Sequence, residues 1–279
     1  MRLVVNADDF GLCNGINEGV IRAFEQGLVR SASLMALGSA FPEAARYLKE
    51  HPGLDAGLHL TLTDEKPLTD ARALFPGAWD SDRLPGMAKL FALLASSRAD
   101  IAALEREIAA QMDKIRSAGI SISHVDGHQH VHLFLRVFPL CLSLCRAHGI
   151  SYLRTRITDR PNLRAGAGRL LQYAGLRLFL RAAVAPRTPP DLPALPCTGF
   201  LLSGGKMTVR DALDNLDALG TPPAAELILH PGLPGPAEER EYGHWNYAWE
   251  NDLALACSQE LARGLGERGI RPSGFRDLA

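Results

Sequence analysis

No stretch of this sequence is apolar for long enough to cross a bilayer, and the opening Met-Arg-Leu-Val-Val-Asn-Ala-Asp-Asp turns acidic after three apolar residues. Neither an integral membrane segment nor a signal-peptide core is therefore expected. An excess of charge of one sign is also missing. Thirty Lys and Arg stand against 31 Asp and Glu, for a net charge of −1. That balance carries no electrostatic footprint for nucleic acid or for an anionic membrane. Arg154, Arg156, Arg160, Arg164 and Arg169 form a local basic stretch, which reads as a solvated helix face or loop. Cysteine is scarce: five residues, an odd number, widely dispersed. They do not form a disulfide framework, and a reducing, cytoplasmic setting is predicted. Cys141 and Cys145, spaced i,i+4 among Leu140, Leu142 and Leu144, read as core residues.

What is present is ordinary for a globular chain, 47% hydrophobic and 22% charged over 279 residues. That length suits one α/β barrel domain spanning 1–279. Short apolar runs at Arg2–Ala7, Ser33–Leu37, Ala56–Leu62, Ser121–Asp126, Tyr152–Thr155, Phe200–Leu202, Glu226–His230 and Gly274–Phe275 read as strands. Helical periodicity lies between them, at Gly15–Glu25 with Asn14 as a cap, Pro42–Glu50, Ile101 to Gly119, Leu133–His148, Arg169–Val184, Val209–Leu219 and Asn251–Glu267. Loop insertions are expected near 64–98 and 184–198, the latter around five prolines in Pro186–Pro196. Repeated βα units imply a (β/α) barrel-like α/β fold of seven to eight parallel strands with outer helices; an open doubly wound sheet is the alternative.

Within this pattern, His124-Val-Asp-Gly-His-Gln-His-Val-His132 places four histidines and one carboxylate at alternating positions. In an extended segment His124, Asp126, His128, His130 and His132 share one face, spread over about 13 Å. One metal ion takes one or two of them, and the rest of its ligands come from elsewhere. A single histidine is more often a hydrogen-bonded core or surface group, but four within nine residues is not what a solvated surface produces.

Polar residues also gather at the ends of other strands, where barrels and open α/β sheets place their active groups. The first strand ends in Asn6-Ala-Asp-Asp-Phe-Gly11, the third carries Gly57-Leu-His59-Leu, and a late one ends in His230-Pro231-Gly232. Asp8 and Asp9 are neighbours, so they reach one centre only where the pleat breaks, and Phe10-Gly11 offers a break. Helix capping by Asp9 or Asn14 accounts for one acid, not for two. Two buried carboxylates call for a compensating cation. His59, flanked by leucines, taken alone reads as a core histidine; beside Asp9 and the histidine cluster it reads as a ligand. Two histidines and one carboxylate leave positions open for water and substrate. His230 is held extended by Pro231 and reads equally as a loop residue or a proton donor. Trp245, Tyr247 and Trp249 suit either sugar stacking or core packing.

Taken together, Asn6–Gly11, Gly57-Leu-His59-Leu, His124–His132 and Leu229-His230-Pro231 resemble the YdjC-like carbohydrate deacetylases almost end to end, through the closing Gly274-Phe-Arg-Asp277. That family includes a chitooligosaccharide deacetylase and a branch associated with hopanoid biosynthesis. The resemblance implies a homodimer with a barrel-like fold and one divalent ion, magnesium or zinc, on Asp9, His59 and His128. It implies Asp8 as general base and His230 as general acid in hydrolysis of an N-acetyl group, releasing acetate and an amino sugar. Where the family often has three consecutive histidines, this chain has His128-Gln129-His130, and His128 is the matching ligand. An oligosaccharide, a smaller sugar and an acetylated glycolipid all remain open as substrate. Two rivals stand beside this reading. One is another metal-dependent barrel hydrolase, an amidohydrolase or phosphoesterase with extra ligands among His124, His130 and His132. The other is a non-catalytic sugar- or metal-binding protein.

Overall fold

A computed structural model describes residues 1–96 and 98–278. Its nine strands are β1 (Arg2–Phe10), β2 (Ser31–Leu34), β3 (Asp55–Leu60), β4 (Ile122–Gly127), β5 (Tyr152–Leu153), β6 (Arg156–Ile157), β7 (Pro196–Thr198), β8 (Ala224–Leu229) and β9 (Arg271–Ser273). All pairings are parallel, in the order β5-β4-β3-β2-β1-β8-β7-β6, with β9 on β1. β5 and β6 are two halves of one extended segment, 152–157. Its first half pairs with β4 and its second with β7, so the two ends of the sheet path meet and the sheet curls into the barrel-like form. β1 lies at the centre. β8 runs along one edge from Arg2 to Ala7, while β9 (Arg2–Val4) and β2 (from Asn6) share the other.

Strands covered on both faces need near-continuous burial rather than alternation. β2, β3 and β8 are buried at every position, and β1 at every position after Arg2. The outer helices bury one stripe each. In Ile101–Ser117, Leu104, Ile108, Met112 and Ile115 are buried, each contributing about 1.5–3 kcal/mol by leaving water. Asp100 starts that helix by accepting a hydrogen bond from the Ala103 N–H. Two polar residues on the same helix tie down the chain between Thr61 and Thr69. Glu107 accepts from the backbone N–H groups of Leu68 and Thr69, and Gln111 pairs with both backbone groups of Thr61.

Several elements differ from the sequence expectation. The strand expected at Phe200–Leu202 lies at Pro196–Thr198; proline is tolerated as the first residue of a strand, and 200–202 is a turn. The helix expected from Leu133 starts at Phe138, because His128–Leu133 forms a 3₁₀ turn with Gln129 and His130 at φ 50° and 58°. The helix expected over Asn251–Glu267 is two, Trp249–Ala256 and Gln259–Glu267, the second capped by the Ser258 hydroxyl. Cys13, not Asn14, occupies the cap position of the first helix, Asn14–Gln26. The last strand is Arg271–Ser273 rather than Gly274–Phe275. The 64–98 insertion contains helices Ala71–Leu74 and Met87–Ala95.

Candidate metal centre and its cleft

β1 delivers two adjacent carboxylates because its pleat breaks at Asp9. This residue has φ 65°, and the register against β2 shifts between Ala7 and Phe10. The expected break at Phe10-Gly11 is also present, with Gly11 at φ 92°. A left-handed backbone costs a non-glycine residue about 1–2 kcal/mol, and aspartate tolerates it better than most. In return, both acids serve the same barrel mouth.

Asp9 Oδ1 lies 2.8 Å from His128 Nδ1 and 3.1 Å from His59 Nε2, and all three side chains are buried. Ligand atoms about 2.1 Å from a common ion stand about 3.0–3.4 Å apart at octahedral or tetrahedral angles. The two separations from Asp9 are near that range and all three ligand atoms lie within 4.8 Å of one another, so these residues can converge on a single cation. The other ring nitrogen of His59 is 2.7 Å from Asp126 Oδ1, an outer carboxylate that fixes the ring and leaves Nε2 facing Asp9. Burial pushes Asp9 up, but the His128 and His59 imidazoles outweigh it and hold the carboxyl well below the usual range. Burial pushes His59 down, and the carboxylates of Asp126 and Asp8 outweigh that, raising it to about 10. Ligation needs His59 without its proton, so a cation binding here would take the place of the proton that Asp126 and Asp8 otherwise favour on that ring. A second set, Asp8, His59 and Asp126, is also close enough to converge. Its members are committed elsewhere: both Asp8 oxygens take hydrogen bonds from Arg154, and Asp126 faces His59 Nδ1.

Arg154 is the residue that sequence reading missed. It sits where β5 passes into β6, buried inside the barrel rather than solvated. Its guanidinium lies 2.7 and 2.8 Å from the two Asp8 oxygens, 2.6 Å from Asp126 Oδ2 and 2.6 Å from Glu226 Oε1. One fork therefore ties carboxylates from β1, β4 and β8. Burial raises Glu226 despite Arg154, whereas Arg154 and His59 overcome burial and lower Asp126. Three buried acids thus share one guanidinium, while the fourth, Asp9, faces the His59 and His128 rings.

The remaining histidines of the cluster part company, because the extended backbone ends at Gly127. His124 lies 3.0 Å from Ser33 Oγ, stacks on Phe275, and packs so closely on Gly57 that a Cβ there would be 2.2 Å from its ring. Burial lowers it to about 4, so it is a neutral core group. His132 Nε2 is 2.7 Å from the Arg154 carbonyl and holds that backbone. His130 packs on Phe200. Among the described residues, no group of converging ligands includes any of these three, so they do not supply the extra ligands expected of them in the rival two-metal reading.

His230 follows β8. Its backbone N–H donates to Asp252 Oδ2 at 3.0 Å, and its Nδ1 lies 3.8 Å from the same oxygen. Burial lowers its basicity, but Asp252, Asp9 and Asp8 raise it further. Asp252, on the helix Trp249–Ala256, gave no sequence signal. Asp8, Asp9, His59, His128 and His230 all line one cleft of about 1060 Å³. Trp245 and Tyr247 also line it, Trp245 5.0 Å from the His128 ring, while Trp249 is buried core.

The model of YdjC-like proteins matches residues 2–267. The chain belongs to the YdjC-like family. Among its relatives, a carbohydrate deacetylase of Geobacillus stearothermophilus is 30% identical over 275 residues, 99% of this chain and 97% of that protein. Carbohydrate deacetylase 1 of Listeria innocua is 29% identical across the full length of both. The fold is shared with an Enterococcus faecalis protein solved as a candidate cellobiose-phosphate cleavage protein, with a TM-score of 0.74 at 22% identity, covering 100% of this chain and 98% of that one.

Proposed function

We propose that this YdjC-like chain is a metal-dependent N-deacetylase of acetylated amino sugars, in an oligosaccharide or a glycolipid. The observation that carries the reading is the convergence of Asp9, His59 and His128 beside Asp8 and His230 in one cleft. Asp9, His59 and His128 would hold a divalent ion, magnesium or zinc, which would supply Lewis acidity at the reacting carbonyl and water. Asp8 accepts the proton of the attacking water, its carboxylate held in place through both oxygens by Arg154. Water oxygen bonds to the acetyl carbon, the carbon–nitrogen bond breaks, and His230 donates the proton that lets the amine leave. Asp252 anchors the His230 backbone N–H and keeps a carboxylate oxygen near its ring. Trp245 and Tyr247 offer faces for a sugar ring. A cytoplasmic homodimer with no nucleic-acid partner belongs to the same reading.

Acetate release across a panel of N-acetylated glycans, with chelated and metal-restored protein side by side, tests it. Release is expected on some member of the panel, lost on chelation and regained with magnesium or zinc. Release that survives exhaustive chelation contradicts the reading. The same assay has a signed pH dependence. His230, raised above its ordinary value by Asp252, Asp9 and Asp8, keeps its proton to higher pH than a free imidazole, so the rate falls as pH rises through that value. Asp9, held low, stays ionised until well into acid, and the acid limb coincides with loss of metal. An alkaline limb that persists in His230→Asn contradicts the assignment of the acid.

A further inference from the structure

The segment 160–190 carries six arginines, Arg160, Arg164, Arg169, Arg177, Arg181 and Arg187, and no Asp or Glu. In a chain of net charge −1 this local excess is concealed by the rest. Arg160 and Arg164 are paired to Asp214 and Asp211, and Arg169 is turned inward onto Phe200 and Ser203. Arg177 and Arg181 remain exposed, on the helix Ala167–Phe179 and its continuation Leu180–Val184.

That helix is a ridge between two cavities. Gln172, Leu176 and Phe179 line the cleft of the metal centre, while Arg177 and Arg181 line a separate cavity of about 570 Å³ together with Arg156. No acidic residue lines this second cavity among the described residues. The crest of the ridge is apolar. Leu171 and Leu178, about 20° apart around the helix, are 76% and 70% exposed. Phe91, which lines the cleft itself, is 60% exposed and packs on Phe134, a second lining residue. Large exposed apolar side chains both in the cleft lining and on the helix that borders it are not the scatter of an ordinary surface.

We infer that the cleft mouth docks on an anionic phospholipid surface. The leucine crest and Phe91 enter the interface, and Arg156, Arg177 and Arg181 meet the lipid phosphates. A bilayer accounts for both halves of the pattern, since it offers apolar depth and negative charge side by side. A neutral apolar partner leaves the three arginines unexplained, and an acidic soluble partner leaves the leucines unexplained. Docked in this way, the cleft opens onto the lipid surface, so a sugar presented there enters without the protein leaving it. The docking is independent of the reaction assigned to the metal centre and is tested without turnover.

Co-sedimentation of the full chain with vesicles of phosphatidylcholine, with and without phosphatidylglycerol, is the test. Binding is expected only with the anionic lipid, weakening as salt rises. It should fall roughly fivefold for each arginine removed in Arg177→Ala and Arg181→Ala, and to background in the double variant Leu171→Asp with Leu178→Asp. All four positions are exposed, so the fold is expected to survive, and thermal unfolding of each variant checks this. The inference is overturned if anionic vesicles are not bound at low salt. It is equally overturned if binding survives the leucine double variant, or if light scattering shows a dimer that this variant splits, which makes the face a contact between two copies.

Discussion

Asp8→Asn is expected to lower kcat by about 10²–10⁴-fold, the range that positioned proton transfer supplies, while the protein keeps its metal. The separation follows from the geometry. Asp8 gives both oxygens to Arg154 and lies outside the Asp9–His59–His128 set. Single-turnover acetate release and elemental analysis on the same preparation read the two effects independently. A variant that loses metal as well makes Asp8 a ligand. One that keeps its rate removes Asp8 from the role of general base.

Arg154→Met is expected to cost about 3–5 kcal/mol of stability, because it leaves buried Asp8, Asp126 and Glu226 without their shared cation. Urea unfolding measures it. The sign with pH is also fixed. In the wild type Asp126 is lowered in the fold, chiefly by Arg154 and His59 against burial. It contributes stability that is present above the unfolded carboxyl value and is lost as pH falls through the lower folded one. Without Arg154 this contribution shrinks, and carboxyls raised by burial destabilise the fold until they take up protons. The gap between wild type and variant therefore narrows as the solution is acidified. Arg154→Lys keeps the charge but not the fork and is expected to fall between the two. A loss below about 1 kcal/mol, as for an exposed ion pair, contradicts the role given to Arg154.

Much of this architecture was legible in the chain. Alternation of apolar runs with 3.6-periodic stretches gives the parallel barrel-like sheet, and acids and imidazoles at the strand ends mark its mouth. The residues that escaped are those whose meaning comes only from closure. Arg154 looks like one of several arginines until β5 and β6 curl it inward between three acids. Asp252 sits on an ordinary helix, and only the return of the chain brings it under His230. The even spacing of His124, His128, His130 and His132 promised one face, but alternation stops at Gly127, and the left-handed Gln129 and His130 turn the chain away. Phe200–Leu202 has the composition of a strand, yet Asp159 Oδ1 accepts from the N–H groups of Gly199 and Leu201 and holds the segment as a turn. Helix Ala167–Phe179 has a clear period, but nothing in that period says that its leucine crest faces outward.

Elemental analysis of native protein beside Asp9→Ala and His59→Ala, all purified without added ions, bears most directly on the metal centre. About one divalent ion per chain is predicted for the native protein, falling to background in both variants, as a three-ligand site requires. About two ions per chain, or one ion that both variants retain, would contradict it.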